Sequence, residues 1–271
     1  MGTIGILIIV ANIAFTYLGL SNYQFFEQYK FHVGKILYQK DYKRLVTSGF
    51  LHADWMHLFF NMFSLYSFSN GIENYVGPYR FIIIYFGSLV GADLLTLYLQ
   101  RRNSSYTAVG ASGAVCGIIF SAIALYPGIS IGLMFIPFAI PGWLFGLLYM
   151  AYSIYGMKSK RGNIGHEAHF GGAFVGLILT VAMYPSMLAD NYPTLLLITV
   201  PSAIMLYLFI ERPKALQFDK FLVKKPKRFY TIDEKYNEDK IKKQKEIDRI
   251  LDKVRDKGMH SLTIEEREKL K

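Results

Sequence analysis

The 271-residue chain is too hydrophobic and too weakly charged for an ordinary soluble domain. Hydrophobic residues make up 52% of it, charged residues make up 18%, and the mean hydropathy is +0.26, whereas about 25% charged residues is usual in soluble domains. The composition therefore excludes a soluble globular class and predicts a polytopic membrane protein. The single cysteine, Cys116, excludes a disulfide framework and a cysteine-based metal site.

Seven stretches within residues 1–211, of 16 to 25 residues each, are apolar and about long enough to cross a bilayer as helices, since a ~30 Å hydrocarbon core takes about 17–25 residues. They are Ile4–Leu20, Trp55–Asn70, Phe81–Leu99, Gly110–Tyr126, Ile131–Tyr155, Glu167–Met183 and Pro193–Ile210. We therefore predict an all-α polytopic membrane domain over residues 1–211. No basic residue precedes the first span and no small-residue cleavage site follows it, so we expect it to remain as a membrane helix.

The composition changes sharply after residue 211, and residues 212–271 contain 19 of the 30 basic residues. This segment is predicted to be a soluble helical tail. Residues 234–257 have helical periodicity, Gly258 is predicted to end that helix, and Thr263 with Glu266 has capping-box spacing. Interspersed acidic residues dilute the positive charge, so nucleic acid is not an expected partner. We predict a solvated charged hairpin that packs weakly or on a protein partner, with anionic lipid as the alternative ligand.

Helices joined by short loops alternate in direction, so the second, fourth and sixth spans all begin on the same face of the membrane. Polar residues cluster at these three starts. His57 and Asn61 lie four residues apart, and therefore on one helical face, near the start of the second span. Ser112 and His169 lie near the starts of the fourth and sixth spans. A histidine at membrane depth is costly and indicates function, and a serine paired with a histidine is the minimum for an activated nucleophile.

Small residues at four-residue spacing predict a close approach of the fourth and sixth spans, because such spacings let helix backbones touch. They are Gly113 and Gly117 on the fourth span, and Ala168, Gly172 and Gly176 on the sixth. This contact would bring the Ser112 hydroxyl within reach of the His169 ring. The candidates for stabilising an oxyanion are then His57, the Asn61 amide and the backbone N–H of Ser112.

Four motifs, in order along the chain, resemble those of the rhomboid intramembrane serine proteases. They are residues 44–61 with both His52 and His57, Glu73-x-x-x-Gly77-x-x-Arg80, Gly110-Ala111-Ser112-Gly113, and Ala168-His169-x-x-Gly172-x-x-x-Gly176. The resemblance implies that Ser112 is the nucleophile and that His169 is the general base and acid. It also implies that His57, Asn61 and Gly110 contribute to the oxyanion and substrate-binding site.

The resemblance carries further expectations about the structure. Arg44 would anchor a long loop between the first two spans that lies partly in the membrane, and Glu73 with Arg80 would hold the turn between the second and third spans. Gly113, Gly172 and Gly176 would be structural. The seventh span would be the extra C-terminal helix of a six-plus-one arrangement. No cofactor is implied.

The resemblance also implies how a substrate would be handled. A single-span membrane protein would leave the lipid bilayer sideways between the second and fifth spans, with Phe60 as a candidate lining residue, and unwind near the membrane interface. Its helix would carry small or helix-breaking residues there.

Two positions depart from the resemblance. Many relatives have tryptophan before the loop arginine, whereas this chain has Lys43, so the anchoring of the loop is expected to differ. Relatives often carry an aromatic residue four positions after the serine, where it can stack on the histidine, whereas this chain has Cys116. We therefore expect the His169 ring to be less firmly oriented.

Three alternatives compete with a protease. A histidine metal site is disfavoured, because His166-Glu167-Ala168-His169 places the histidines three residues apart rather than four. His52 and His166 are instead expected at the membrane interface or in a loop. Asp93 in the third span is expected to have a partner inside the helix bundle. An inactive rhomboid relative that binds membrane clients would usually have lost Ser112 or His169. A transporter would have a polar path across the whole membrane.

Loop charge bears on the orientation and location of the protein. Basic residues on the active-site face outnumber those on the opposite face, which has only Arg80. Those on the active-site face are Lys30, Lys35, Lys40, Lys43, Arg44, Arg101, Arg102, Lys158, Lys160 and Arg161. By the positive-inside rule, the active-site face and the tail are predicted to be cytoplasmic, and the expected location is a bacterial cell membrane.

Overall fold

A computed structural model describes residues 2–132, 138–159 and 165–211. It also describes Ile250, Lys253, Val254, Gly258, Ser261, Thr263 and Glu266. The chain divides into two compact units, residues 1–216 and 217–271. The tail predicted from residue 212 falls close to this division, although its boundary stays a prediction.

The first unit is built almost entirely from helices. Helices α1 to α10 are Thr3–Ser21, Tyr23–Tyr29, Val33–Gln39, Arg44–Thr47, Trp55–Val76, Pro78–Gln100, Ser112–Leu125, Gly142–Ser159, His166–Met183 and Met187–Glu211. Strands β1 to β4 are Phe31–His32, Thr107–Ala108, Ser130–Gly132 and Ala139–Pro141. They form two small antiparallel pairs, β1 with β2 and β3 with β4. The prediction of a helical polytopic membrane fold is confirmed.

A helix lies at each of the seven predicted spans, but these helices differ in how well they suit a membrane. Among the described residues, four are both long and apolar enough to cross one: α1, α6, α9 and Asn191–Leu208 within α10. Helix α5 is long but carries several polar residues on its buried face. Helix α7 has only 14 residues, so it extends about 21 Å at 1.5 Å per residue, less than the ~30 Å hydrocarbon core. Its first residue, Ser112, can therefore lie well below one membrane surface.

The predicted start of the fifth span was wrong. Ile131 lies in β3, opposite Ile140 in β4, and the helix begins only at Gly142. A continuous apolar run does not by itself distinguish a strand from a helix. Pro141 decides against a helix starting at residue 131, because a proline ten residues inside a helix would remove a hydrogen bond and clash with the preceding turn.

Other boundaries also differ from those predicted. Helix α5 continues past Asn70 to Val76, and Ile72, Glu73 and Val76 form the buried side of these last turns. It ends at Gly77, whose φ of +81° favours glycine. Helix α10 begins at Met187, earlier than the predicted Pro193, and is kinked at Asn191. Helix α7 begins at Ser112, two residues after the predicted Gly110.

Helix α7 lies in the core of the first unit and packs against α6, α9 and α5. Almost all of its residues are buried. The loop between α1 and α5 contains α2 to α4 and has a small core of its own, in which Phe31, Val33 and Ile36 are fully buried.

The described residues of the second unit bear out two local predictions. Gly258 has a φ of +77° and its N–H donates to the Val254 carbonyl at 2.8 Å, as expected of a residue that ends a helix. The Thr263 N–H donates to Glu266 Oε2 at 2.8 Å and the Glu266 N–H donates to Thr263 Oγ1 at 3.2 Å. The capping box is therefore confirmed, whereas most of the predicted helix over residues 234–257 lies outside the described residues.

Candidate functional site

Glycines bring α7 and α9 into backbone contact. A Cβ atom added to Gly172 would lie 1.9 Å from the Gly113 carbonyl oxygen, and one added to Gly176 would lie 2.4 Å from Gly117 Cα. Real Cβ atoms do not come this close to backbone atoms, so only glycine allows the two helices to pack at this distance. The close approach of the fourth and sixth spans is thus a property of the fold.

This contact places the segments that carry Ser112 and His169 against each other. Gly113 follows Ser112, and a Cβ atom on Gly113 would lie 3.4 Å from the carbonyl oxygen of Ala168, which precedes His169. The side chains of Ser112 and His169 are both partly buried and are not hydrogen-bonded to each other in this structure. In serine hydrolases, the hydrogen bond between nucleophile and base is often long before substrate binds.

His57 packs on the backbone just before Ser112. Gly110 has a φ of +129°, and a Cβ atom there would lie 2.7 Å from Cε1 of the His57 ring. Glycine is therefore required at position 110 both by the backbone conformation and by the approach of the ring. Asn61 is buried one turn further along α5, and its side-chain amide donates to the His57 carbonyl at 3.0 Å.

His52 joins α1 to the backbone before Ser112. Its Nε2 accepts a hydrogen bond from the Ala111 N–H at 3.4 Å, and its Nδ1 lies 2.9 Å from Thr16 Oγ1. His52 is fully buried, and this burial together with the neighbouring His57 lowers the pKa of His52 to about 3. A neutral ring can accept at one nitrogen and donate at the other. His52 therefore supports the segment before Ser112, a role that was not predicted, although its place five residues before His57 was a signal.

A second support for this segment comes from the buried carboxyl group of Asp93. The Ser48 hydroxyl donates to Asp93 Oδ2 at 2.9 Å, and the Ser48 carbonyl accepts from the Gly110 N–H at 3.0 Å. Asp93 on α6 is thus connected through one residue to the start of the Gly110–Gly113 motif. The expectation of a partner for Asp93 inside the bundle is confirmed.

Arg44 lies buried at the centre of the loop between α1 and α5. Its guanidinium donates to Asp41 Oδ2 at 2.8 Å and to the carbonyl oxygens of Glu27 and Lys30 at 3.0 and 2.6 Å. These bonds connect α4 to the last turn of α2. Lys43 instead points outward, with its Nζ 5.6 Å from the centre of the Tyr29 ring.

Glu73 and Arg80 do not act on one another. The Glu73 carboxylate accepts from the N–H groups of Ile4 and Gly5 at 3.0 and 2.9 Å, which are among the first-turn donors that a helix leaves without partners. The resemblance implied that the Glu73 side chain holds the turn between α5 and α6. In the structure it holds the start of α1 instead. Arg80 donates to the Tyr184 hydroxyl at 2.6 Å, and that hydroxyl donates to the Val76 carbonyl at 3.1 Å.

An apolar cavity of about 660 Å³ lies between α5, α7 and α8. Residues from all three helices and from β3 line it, including Phe60 and Phe63 on α5, Ile119 on α7, Tyr126 just after α7, Ile131 in β3, and Phe145 on α8. Ile119 lies seven residues after Ser112, about 10 Å along the helix. The cavity therefore extends from Phe60, next to Asn61 on α5, along α7 away from Ser112.

Residues 39–186 match a family model described as Rhomboid domain. The chain belongs to the rhomboid family. Residues 230–271 match a family of unknown function (DUF6576), so the second unit carries a sequence pattern of its own.

Several named rhomboid proteins are similar to this chain. Rhomboid protein 1, mitochondrial, of Saccharomyces cerevisiae is 31% identical over 152 residues, which is 53% of this chain and 43% of that protein. Rhomboid-like protein 11, chloroplastic, of Arabidopsis thaliana is 31% identical over 165 residues, 55% of each. Rhomboid protease AarA of Providencia stuartii is 27% identical over 160 residues, 52% of this chain and 56% of that protein. The chain spans about half the length of these relatives.

Within this rhomboid fold, the ring that faces His169 comes from an unexpected helix. Tyr149 on α8 stacks on His169, with ring centres 6.2 Å apart and planes 24° from parallel. Its hydroxyl lies 2.9 Å from the sulfur of Cys116. An aromatic ring therefore stacks on His169 although position 116 is cysteine, because α8 supplies it; the expected looser orientation of the His169 ring stays a prediction. Sequence spacing could not reveal it, since Tyr149 and His169 are on different helices.

His166 is buried at the start of α9, beside Tyr152. A Cβ atom on Gly156 would lie 2.3 Å from the His166 ring, so α8 packs closely on it. His166 therefore lies in a helix interface and not in a loop.

Proposed function

We propose that this rhomboid is an intramembrane serine endopeptidase that cleaves transmembrane-helix substrates near the membrane interface. Ser112 acts as the nucleophile and His169 as the general base and acid. The observation that supports this most directly is the backbone contact between Gly113 and Gly172. It joins the segments that carry the two reacting groups, on helices that start at the same membrane face. The similarity to Rhomboid protease AarA is a second support.

In the proposed reaction, Ser112 Oγ attacks the scissile carbonyl carbon while the His169 ring accepts the hydroxyl proton. His169 then donates that proton to the leaving amine, and a water molecule hydrolyses the acyl-enzyme with His169 again acting as base. No buried acid is needed as a third member, since packing can orient the ring. The reaction needs water at Ser112, which agrees with a serine that is only partly buried at the end of a short helix.

The oxyanion would be stabilised by donors around Ser112. Because Ser112 is the first residue of α7, its backbone N–H has no acceptor within the helix, and the helix dipole adds a favourable field there. The His57 ring, packed on Gly110, and the second N–H of the Asn61 amide are the side-chain donors. Loss of one such donor typically costs about 10²–10³ in rate.

The apolar cavity between α5, α7 and α8 suits the membrane-embedded part of a substrate. Its aromatic lining matches an apolar helix rather than a polar ligand, and on α5 it begins at Phe60, the residue before Asn61. We infer that the substrates are single-span membrane proteins taken from the lipid bilayer, with the unwound end of their helix at Ser112. A protein or anionic-lipid partner for the tail stays a prediction.

Cleavage of a reconstituted transmembrane substrate tests the function. Wild-type protein should cleave it and react with a fluorophosphonate, whereas Ser112→Ala and His169→Ala should do neither. Ser105→Ala, which removes an exposed hydroxyl in the loop before β2, is the matched control and should behave as wild type. Equal cleavage by wild type and Ser112→Ala would rule out the proposal.

The orientation is proposed from loop charge alone. The named relatives come from mitochondria, chloroplasts and a bacterium, so they do not favour the bacterial cell membrane over the other two. We infer that the active-site face and the C-terminus lie on the cytoplasmic side, or its organellar equivalent. A C-terminal tag should then resist protease added outside intact cells and be digested after permeabilisation. Digestion in intact cells would refute this orientation.

A further inference from the structure

Three nearly parallel rings lie in a row at the interface of α8 with α7 and α9. Phe145 stacks on Tyr149 with ring centres 5.6 Å apart and planes 20° from parallel. Tyr149 in turn stacks on His169 at 6.2 Å and 24°. Phe145 lines the apolar cavity, so the row connects the cavity wall to the candidate base.

Tyr149 is held from two further directions. Its hydroxyl hydrogen-bonds with Cys116 Sγ at 2.9 Å, one turn after Ser112 on α7. The ring of Phe120, one turn further on, lies 5.9 Å away at 57°. Both Cys116 and Phe120 are buried. The position of the Tyr149 ring therefore depends on α8 remaining packed against α7.

We propose that Tyr149 is the positioning residue for His169, and that the Cys116 thiol holds Tyr149 in place. The imidazole of a serine–histidine pair must present one nitrogen to the serine, and rotation about its side-chain bonds would turn that nitrogen away. A ring stacked on one face of the imidazole restricts this rotation without itself contacting the substrate. The inference rests on the proposed function, in which His169 is the base.

The position of Tyr149 on α8 connects the orientation of His169 to substrate binding. Tyr149 belongs to α8, one of the walls of the cavity, and not to the helices that carry Ser112 and His169. Movement of α8 during binding would change the stacking on His169, and a substrate helix in the cavity would contact Phe145 at the far end of the row. Orientation of the base is thereby coupled to the occupancy of the cavity.

Kinetics on the reconstituted full-length protein separate positioning from folding. Tyr149→Leu removes the ring and should lower kcat about 10- to 100-fold with KM changed less than twofold, since about 1 Å of misplacement can cost 10² in rate. Tyr149→Phe keeps the ring and should retain at least a third of kcat. Tyr155→Leu, the same change at a half-exposed site on α8, is the control and should match wild type.

The Cys116 contact is tested by a double-mutant cycle. Tyr149→Phe and Cys116→Ala each remove the same hydrogen bond, so each should lower kcat two- to threefold and the double variant should fall no further. Fully additive losses would show that Cys116 does not act through Tyr149.

The NMR signal of the His169 ring measures its orientation independently of protease activity. In protein labelled with ¹³C at histidine Cε1, the His169 signal, assigned by its loss in His169→Ala, should be single in wild type and in Tyr149→Phe. In Tyr149→Leu it should shift and broaden. An unchanged His169 signal and unchanged kcat in Tyr149→Leu would overturn the positioning role. If wild type cleaves nothing, the proposed function fails, and the spectra alone decide whether Tyr149 orients His169.

Discussion

At the Gly113–Gly172 contact, a single added methyl group would force α7 and α9 apart. In Gly172→Ala the new Cβ would lie 1.9 Å from the Gly113 carbonyl oxygen, and an ordinary contact needs at least 3.4 Å. The obstacle is backbone and not the end of a flexible side chain. Helices α7 and α9 must therefore separate by about 1.5 Å at this level, next to Ser112.

We expect this separation to reduce both stability and activity. Alanine in a helix interior is favoured over glycine by about 0.5–1 kcal/mol, but overpacking costs typically about 1–3 kcal/mol, so the net change should be destabilising. A displacement of more than 1 Å between nucleophile and base should lower kcat/KM by about 10²-fold or more. Thermal unfolding in detergent micelles and cleavage in proteoliposomes measure the two effects.

A matched substitution at another α9 contact provides the control. In Gly87→Ala the new Cβ would meet only the Leu179 side chain, with Cδ1 at 2.6 Å and Cγ at 3.9 Å. The end of this leucine can rotate away, so the gain in helix propensity should offset most of the cost. Gly87→Ala should keep activity within about twofold of wild type. If Gly172→Ala also keeps wild-type activity and midpoint of unfolding, this contact does not set the distance between Ser112 and His169.

The remaining predictions concern residues that hold the helices around the site. Glu73→Ala should lower the free energy of unfolding by about 0.5–2 kcal/mol, because two amides at the start of α1 lose their acceptor. Glu73→Gln, which keeps one acceptor oxygen, should lose less, and equal losses in thermal unfolding would contradict a capping role. Arg44→Ala should expose the loop before α5 to limited proteolysis, whereas Lys43→Ala should leave the digestion pattern unchanged. Asp93→Leu should lower cleavage more than Asp93→Asn, which can still accept from Ser48; the same loss in both variants would refute support through that hydrogen bond.

The residues of the candidate site could be predicted from the sequence, whereas most of their long-range contacts could not. Ser112 and His169 were found because each is a polar residue in an apolar stretch, and the glycine spacing on both helices predicted that these helices touch. The sequence did not reveal which residues pair with Glu73, His52 and Asp93. These side chains contact residues 36 to 69 positions away, and which helices meet there depends on their rotation and depth in the bundle.

By itself, the sequence determined the membrane class, the approximate helices and the residues that carry chemistry. These follow from the free energy of placing each segment in lipid or water, which depends mainly on local composition. The tertiary structure alone decided that residues 130–132 pair as a strand, that Glu73 caps α1, and that Tyr149 rather than position 116 faces His169. These features follow from how closely neighbouring helices can pack. At Gly113 and Gly172 that distance is set by two missing side chains, and the arrangement around Ser112 depends on it.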